Sequence, residues 1–411
     1  MINNSNQMVY LDNAAAMKPD AQVIKFFNDN VFVNYCNQEA IHTAAYDLRT
    51  KISEAEQQLI NCFSKRNKKK IAHNSVQNSS LKVLWNNSGS SAIATFLSSP
   101  FFRNGNIICT NLEHASITES IKNCSQCELR IWKNSLKYQQ LQSINSNSEL
   151  SLFDIETLNS LVDEDSKAVI IHHVHSELGV IENIEKIASA VKKINNNTLV
   201  IIDSIQSVGK ILINSNFFDE NLIDALVISG YKTGSFGGGA LVYRDVKPNK
   251  MSEFFKFQRS GTHTLGRVNP LEALTLVESV KISLNELGEN LKKISSLRDY
   301  LFQKLSEIIL FNGKKIMFLI NKEHCSPYIC YFVMPGVQSA VILRMLSAEN
   351  IMVSSGSACE AETSQMSKTL QAIAVPKDFG FGALRVSFGK STTFAEVELF
   401  VDKLKNCLKN Y

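Results

Sequence analysis

The chain lacks the features of a membrane, secreted or nucleic-acid-binding protein. No apolar run approaches the roughly 20 residues that a membrane helix needs, and the first residues, MINNSNQMVYLD, contain no apolar stretch of the kind found in secretory signals. The formal net charge of +4 over 411 residues is too small and too dispersed to indicate an acidic partner. We therefore expect neither a membrane nor a nucleic acid among its partners.

Cysteine is present, but without the spacing of a disulfide framework. The nine cysteines are an odd number scattered along the chain, which favours a reducing compartment and hence the cytoplasm. Cys124 and Cys127 have the spacing of a redox or metal pair, yet no second pair accompanies them, so chance is the better interpretation. Among His172, His173 and His175, only the last two should share a face of a strand, and all are expected to be structural or pocket-lining. The sequence indicates no metal site.

The middle of the chain alternates short apolar runs with longer amphipathic stretches, which is the pattern of an α/β fold. The runs at 198–202 and 224–229 are largely apolar throughout, as in parallel strands that helices cover on both faces. Similar runs occur at 106–109 and 168–173, and residues 182–193 have helical spacing. The sequence therefore predicts a sheet flanked by helices.

Beyond about residue 264 the pattern changes. A helical stretch covers 269–309, with a break or bend near Gly288, and a final amphipathic helix is predicted at 394–408 after strand-like segments. Two domains are the expected arrangement for a chain of this length. We expect a large α/β domain at 16–264 and a smaller α+β domain at 265–411, joined by residues 1–15.

An acid and a lysine stand after two of the apolar runs. Asp203 follows 198–202, and ligands of open α/β sheets gather at the carboxyl ends of strands. A carboxylate there could keep the ring nitrogen of pyridoxal 5'-phosphate (PLP) protonated, although an aspartate that starts a turn is the commoner explanation. Lys232 follows 224–229, 29 residues after Asp203, and could form a Schiff base in the same crevice, although most single lysines are simply solvated.

A candidate phosphate site precedes a helical pattern at 92–97. Residues 88–91 are Ser-Gly-Ser-Ser, and backbone N–H groups at a helix start, with hydroxyls beside them, form a natural phosphate cradle. A plain helix N-cap explains the serines equally well. The residues alone leave both interpretations open.

Seven short segments follow one another in a characteristic order. They are 10–15 (YLDNAA), 113–116 (EHAS), 203–210 (DSIQSVGK), 229–232 (SGYK), 259–262 (RSGT), 354–359 (SSGSAC) and 384–389 (LRVSFG). In this order the chain resembles the cysteine desulfurases, which belong to the class V aminotransferase group of fold-type-I PLP enzymes. The resemblance implies a large domain with a mostly parallel seven-stranded sheet flanked by helices, and a smaller α+β C-terminal domain.

The resemblance also implies how PLP is held. Lys232 would carry the cofactor as a Schiff base, Asp203 would pair with its ring nitrogen, and Gln206 would hydrogen-bond its phenolic oxygen. His114 would stack on the ring and help to move protons. The phosphate would be held by hydroxyl-bearing residues, namely Ser90, Ser91, Ser229, Tyr231 and, across the interface of a homodimer, Thr262.

The resemblance further implies that L-cysteine is the substrate. Cys359 would be the nucleophile that takes the substrate sulfur as a persulfide, releases alanine and passes sulfur to an acceptor protein. The small residues before it suit an accessible thiolate. Arg385 would clamp the substrate carboxylate through its guanidinium fork, with Asn13 and Ser176 beside the substrate.

Four features depart from the family pattern. Ser176 replaces an asparagine, Tyr231 a histidine and Ala92 a glutamate, and residues 253–257 replace a glycine-rich stretch. All lie around substrate and phosphate, so we interpret the chain as a divergent member. A selenocysteine lyase, another carbon–sulfur lyase or an aminotransferase is the alternative. A non-catalytic scaffold is a third hypothesis, but the retained lysine, aspartate, histidine and arginine speak against it.

Overall fold

A seven-stranded, mostly parallel sheet runs through the larger part of the molecule. The computed structural model describes residues 8–64, 81–124, 126–214, 217–245, 251–255, 264, 266–356 and 366–411, so the expected site residues Thr262 and Cys359 lie outside the described residues. The strands are β1 (Val9–Tyr10), β2 (Leu81–Asn86), β3 (Gly105–Thr110), β4 (Cys127–Trp132), β5 (Ser166–His172), β6 (Leu199–Asp203), β7 (Ala225–Ser229), β8 (Gly239–Arg244), β9 (Met317–Phe318), β10 (Ile329–Val333), β11 (Ile351–Met352) and β12 (Ala383–Ser387). The large sheet has the order β2-β8-β7-β6-β5-β3-β4, and β8 is antiparallel to both of its neighbours.

Helices cover both faces of this sheet. In the described residues the α-helices are Ala21–Val31, Thr43–Phe63, Gly89–Leu97, Ala115–Lys122, Tyr138–Ser143, Ile155–Leu161, Ile184–Ile194, Met251–Phe255, Pro270–Asn285, Leu287–Ser306, Ser339–Ala348, Lys368–Ala372, Lys377–Gly380 and Phe394–Lys409. Alternate residues of β2 enter two apolar layers: Val83 and Trp85 belong to one and Leu84 to the other. None of these helices combines the length and apolarity needed to cross a bilayer.

The expected α/β architecture is confirmed. The four apolar runs form β3, β5, β6 and β7, and every residue of β6 and β7 is buried. These strands are apolar on both sides because helices of the two layers cover both faces of the sheet.

The C-terminal part contains a smaller sheet with its own apolar core. β12, β10 and β9 form an antiparallel sheet in that order, and β1 pairs in parallel with β11. Val9 and Leu11 lie in the same apolar cluster as the buried side chains of the helices Leu287–Ser306 and Phe394–Lys409. The N-terminal strand therefore packs with the C-terminal residues, although they are far apart in sequence.

The long helical pattern forms two helices, Pro270–Asn285 and Leu287–Ser306, which meet at Glu286. Side chains of the first, such as Leu276 and Val280, belong to the apolar cluster of the large sheet. Side chains of the second belong to the smaller core. We therefore propose that the boundary between the domains lies near Glu286, later than the expected one at 264/265.

Candidate active site

A cavity of about 300 Å³ lies at the carboxyl ends of the parallel strands. Its walls include the start of the helix Gly89–Leu97 and the last residues of β5, β6 and β7. Arg385, on β12 of the smaller sheet, also lines it. Ligands of open α/β sheets bind at this edge, so the topology places a pocket where the sequence predicts the cofactor.

The acid and the lysine that the sequence singles out line this one cavity. Asp203 ends β6 with 9% of its surface exposed, and Lys232 ends a 3₁₀ turn directly after β7. Burial raises the pKa of the Asp203 carboxyl, and the N–H of Ile205, which donates to Oδ1 over 2.9 Å, opposes that rise. Lys232 donates through Nζ to the carbonyl of Ala15. A buried carboxylate gains from a cationic partner, so Asp203 suits a protonated nitrogen in the cavity.

The helix Gly89–Leu97 begins at the cavity wall. Its cap is reciprocal: the Ser91 N–H donates to the Ser88 hydroxyl over 3.1 Å, and the Ser88 N–H donates to the Ser91 hydroxyl over 3.0 Å. Ser88, Gly89 and Ser90 line the cavity, whereas the Ser91 hydroxyl is engaged in the cap and Ser91 is not among the lining residues. The helix N-terminus with Ser90 beside it thus suits an anion.

Two further expected phosphate-binding residues, Ser229 and Tyr231, also line the cavity. Space around the turn is tight: a Cβ at Gly239 would lie 2.0 Å from the carbonyl carbon of Ser88. A Cβ at Gly89 would lie 2.6 Å from the side chain of Ile205. Because position 239 is glycine, β8 can approach the backbone of Ser88 closely. Because position 89 is glycine, the start of the helix can approach Ile205 closely.

Gln206 is held at both ends of its amide. Nε2 donates to the carbonyl of Ala14 over 2.9 Å, and Oε1 accepts from Lys210 Nζ over 2.8 Å. These bonds fix the orientation of the amide and leave one N–H of Nε2 for a ligand. Burial, with the charges of Lys232 and Arg385, lowers the pKa of Lys210 to about 7. The sequence motif contains Lys210, but its role in holding Gln206 depends on the folded geometry.

His114 lines the cavity at the start of the helix Ala115–Lys122. Its Nδ1 accepts the N–H of Ser116 over 3.2 Å and lies 2.8 Å from the Ser116 hydroxyl. The imidazole therefore caps the helix through Nδ1, and Nε2, which carries the hydrogen of the neutral ring, can donate to a ligand.

His172 lines the pocket, which is one of the two roles expected for it, whereas the sequence analysis gave Glu113 no role in the site. His172 lines the cavity, and its Nδ1 lies 2.8 Å from Glu113 Oε1. The expectation that only His173 and His175 share a face was wrong: the rings of His172 and His175 are 5.0 Å apart, and His173 packs near Phe217. β5 ends at His172, so strand alternation does not continue past it. The neighbourhood of Glu113 and His114 in the sequence was the available signal.

Arg385 is 2% exposed and is held by two hydrogen bonds. Nη1 donates to the carbonyl of Ser176 over 2.9 Å, and Nη2 donates to Asp12 Oδ1 over 3.1 Å. Its backbone pairs with Ser354, whose carbonyl accepts the Arg385 N–H over 2.7 Å. Both Arg385 and Ser176 line the cavity that Lys232 also lines. The guanidinium of Arg385 can therefore bind an anionic group of a ligand in this cavity.

Asn13, like Ser91, is an expected site residue that does not line the first cavity. Its Nδ2 donates to the carbonyls of Ser387 and Tyr10, over 3.0 and 3.3 Å. It lines a second cavity of about 530 Å³, which shares Lys232 with the first and also contains Lys210. Asn13 therefore bonds to the backbone of the small sheet and does not line the first cavity.

A family model for class-V aminotransferases matches residues 9–400. The chain therefore belongs to the class-V aminotransferase family. Among curated relatives it is 24% identical to cysteine desulfurase IscS of Dictyoglomus turgidum over 407 residues, 98% of this chain and 94% of the relative. It is 27% identical to cysteine desulfurase IscS of Plasmodium falciparum over 404 residues, 95% of this chain and 66% of the relative.

Solved structures share the fold. A NifS-like protein has a TM-score of 0.79 at 22% identity, and the match covers 98% of this chain and all of that one. The apo cysteine desulfurase of Thermococcus onnurineus has a TM-score of 0.71 at 16% identity, covering 98% of this chain and 95% of that one. At these identities the likeness concerns the fold, and it confirms the expected fold-type-I architecture.

Enzymes of this family depend on PLP, and the chain is a PLP-dependent enzyme. The residues present fit that cofactor. A buried carboxylate (Asp203), a lysine amine (Lys232) and a helix N-terminus with Ser90 lie around one cavity, as a pyridine nitrogen, an aldehyde and a phosphate would require. Gln206 retains an N–H for the phenolic oxygen.

Proposed function

We propose that the enzyme is a cysteine desulfurase that converts L-cysteine to L-alanine and takes the sulfur as a persulfide on Cys359. The observation that carries the proposal is the position of Arg385, whose side chain lines the same cavity as Lys232 and whose backbone pairs with Ser354. Cys359 is five positions after Ser354 in the sequence, and such a segment spans at most about 18 Å. A thiol at position 359 is therefore within reach of a substrate bound to Arg385.

Each side chain has a defined task in this reaction. The guanidinium of Arg385 binds the substrate carboxylate and orients the amino acid. Asp203 provides the negative charge opposite the cofactor nitrogen, and His114 presents the N–H of Nε2 as a hydrogen-bond donor at the cavity wall. When bound, PLP supplies an electron sink that stabilises negative charge at the substrate α-carbon.

The sulfur balance requires no external oxidant. The Cys359 thiolate attacks the substrate sulfur, the carbon–sulfur bond breaks, and a sulfur–sulfur bond forms. The electron pair of the broken bond stays with the carbon skeleton, which gains protons to become alanine. The enzyme keeps the transferred sulfur as a persulfide until a thiol acceptor, such as a partner protein or an added reductant, removes it.

We also propose that the enzyme is a homodimer, located in the cytoplasm, that passes sulfur to an acceptor protein. Support for the dimer comes from the segment 32–46, which exposes several large apolar side chains. Phe32 is 82%, Tyr35 78% and Ile41 88% exposed. Such a concentration is unusual for a surface that faces only water, and it suits a second copy of the chain.

The test uses the full chain loaded with PLP and incubated with L-cysteine and dithiothreitol. We expect equal yields of alanine and sulfide, and we expect Cys359→Ser to abolish both under multiple turnover. Cys127→Ser, which changes a partly buried thiol at the first residue of β4, is the matched control and should retain activity. Pyruvate and ammonia in place of alanine, or undiminished turnover in Cys359→Ser, would contradict the proposal.

A further inference from the structure

His172 carries a buried hydrogen-bonding arrangement whose role the reaction above does not explain. Glu113 Oε1 accepts three hydrogen bonds, from His172 Nδ1 over 2.8 Å, from the His172 backbone N–H over 3.1 Å and from the Thr110 hydroxyl over 2.7 Å. The side chains of His172 and Glu113 are only 6% and 0% exposed. Buried hydrogen bonds of this kind fix both the position and the ionisation state of the side chains that form them.

The other nitrogen of the same ring, Nε2, is also buried. His172 Nε2 is buried without a hydrogen-bond partner among the described residues, although the ring lines the 300 Å³ cavity. A buried donor or acceptor left unpaired is costly. An unpaired nitrogen at the wall of a ligand cavity therefore indicates that the ring faces something the cavity is built to hold.

Asp203 is the site residue that stands beside His172 in the register of the sheet. His172 ends β5 and is in register with Asp203 of the neighbouring parallel strand β6. Residues in register on adjacent strands lie roughly 4.8 Å apart and project to the same side. Among the charges around Asp203, that of Glu113 has the largest effect and raises the pKa of Asp203, while those of His114 and His172 lower it.

We propose that His172, held by Glu113, is a positioning residue that keeps Asp203 ionised and thereby keeps the proton on the ring nitrogen of bound PLP. His172 acts through Asp203 and takes no part in bond breaking. The inference rests on the cofactor of the family and is independent of which substrate the enzyme uses.

The groups around His172 favour its charged form. Burial opposes protonation, but the charge and hydrogen bond of Glu113, together with Glu182 and Asp203, raise the pKa of His172 above its ordinary value. The two neighbouring histidines stay neutral, because burial and the charge of His172 lower the pKa of His173 to about 4 and that of His175 well below its ordinary value. The cluster therefore concentrates its positive charge on His172.

Two variants separate charge from shape. His172→Asn keeps an N–H where Nδ1 is and can still donate to Glu113, but it cannot carry the charge. Glu113→Gln keeps an acceptor for the same three donors but removes a charge that both holds the proton on His172 and raises the pKa of Asp203. His173→Asn is the control, since His173 does not line the cavity and its ring lies 6.5 Å from the ring of Phe217.

The readout is the ¹⁵N resonance of the ring nitrogen in each protein, loaded with ¹⁵N-labelled PLP and measured without substrate. In His172→Asn the Glu113 carboxylate keeps its charge without a cationic partner, so we expect the proton equilibrium to move from the ring nitrogen toward Asp203 by roughly tenfold, equivalent to one pKa unit. Glu113→Gln and the double variant lack the carboxylate that raises the pKa of Asp203, so both should give a resonance close to that of the wild type. The wild type and the control should give the same protonated resonance.

Several outcomes would overturn the inference. A protonated resonance in PLP-loaded His172→Asn would show that the imidazolium is not needed, and a double variant that shifts as far as His172→Asn would show that the Glu113 carboxylate is not the charge that His172 offsets. If His172→Asn fails to fold, His172→Gln, which also places a neutral amide there, decides by the same criterion. Loss of desulfurase activity in every sample would leave this measurement intact, so the two proposals fail separately.

Discussion

Replacing Arg385 by lysine tests whether the guanidinium at this position recognises the substrate carboxylate. Arg385 donates from Nη1 to Ser176 and from Nη2 to Asp12, and its buried Nε has no partner among the described residues. A lysine at this position retains the positive charge but has a single nitrogen. It cannot hold the protein partners and also grip a carboxylate in two places.

The size of the effect follows from the bonds that are lost. A carboxylate held by the arginine fork uses two charge-assisted hydrogen bonds, each worth about 1.5–3 kcal/mol, and lysine keeps at most one of them. The loss of one bond corresponds to a decrease of about 10- to 150-fold, since 1.4 kcal/mol is a factor of ten. We expect this decrease in kcat/KM for L-cysteine, with unchanged affinity for PLP.

A ligand without a carboxylate makes the test specific. Cysteamine has the amine and thiol of cysteine only, and its dissociation constant can be read from the visible spectrum of the PLP-loaded enzyme. Arg385→Lys should weaken L-cysteine but leave cysteamine unaffected, and Arg344→Lys, on an exposed position of the helix Ser339–Ala348, should change neither. An equal loss for both ligands would refute the reasoning, because the defect would then lie elsewhere than in the carboxylate contact.

Two buried groups predict opposite pH dependences of stability in the cofactor-free protein. Burial raises the pKa of Glu56 to about 7 from 4.5, so the stability it adds is complete below about pH 4.5 and is lost as the pH rises through 7. Glu56→Gln should therefore raise the urea midpoint of unfolding at pH 8 by the equivalent of up to ~3 kcal/mol and leave it unchanged at pH 4. The exposed position Glu54 gives the control variant Glu54→Gln. A midpoint of Glu56→Gln at pH 8 that is no higher than those of the wild type and of this control would contradict the prediction. Lys210 has its pKa lowered to about 7 from 10.5, so the unfolded chain binds more protons between these values and stability rises with pH over that window. Lys210→Met should abolish the rise, and a variant that retains it would show that Lys210 is not its source.

The central strands could be predicted because nearly all of their residues are apolar, as complete burial requires. β6 and β7 are buried at every position, as strands are when helices cover both faces of a parallel sheet. The residues at the end of each strand and just after it therefore lie at the carboxyl edge of the sheet. That is why Asp203 and Lys232 could be placed in one crevice before their cavity was seen. The edge strand β4 was missed, because only Trp132 of its six residues is buried and its pattern resembles a surface loop.

The remaining parts of the site depend on contacts between distant residues. Glu113 and His172 are 59 residues apart, and Ser176 and Arg385 are 209 apart. Their pairing follows from strand order and from where each strand ends. The spacing of residues in the sequence shows neither the strand order nor the strand ends. A strand that ends one residue earlier places the next side chain on the opposite face. The contact between His172 and His175 is an example.

The N-terminal segment at 12–15 explains how two cores can share one site. Its backbone accepts hydrogen bonds from Gln206 at Ala14 and from Lys232 at Ala15, both on the large domain. Its side chains and N–H groups bond to the small sheet, through the ion pair of Asp12 with Arg385 and through the N–H of Ala14, which donates to the Ser387 hydroxyl over 2.8 Å.

Four consecutive residues therefore connect the group that would bind the cofactor to the group that would bind the substrate carboxylate. If the small core moved relative to the large sheet, either these hydrogen bonds would break or the segment would move with the core. The segment is buried at Asn13 and Ala14 and has little freedom to stretch. The distance between amine and guanidinium is thus fixed by packing and by backbone hydrogen bonds. This accounts physically for the membership of the first strand in the C-terminal core: the chain end that reaches back across the molecule sets the spacing within the site.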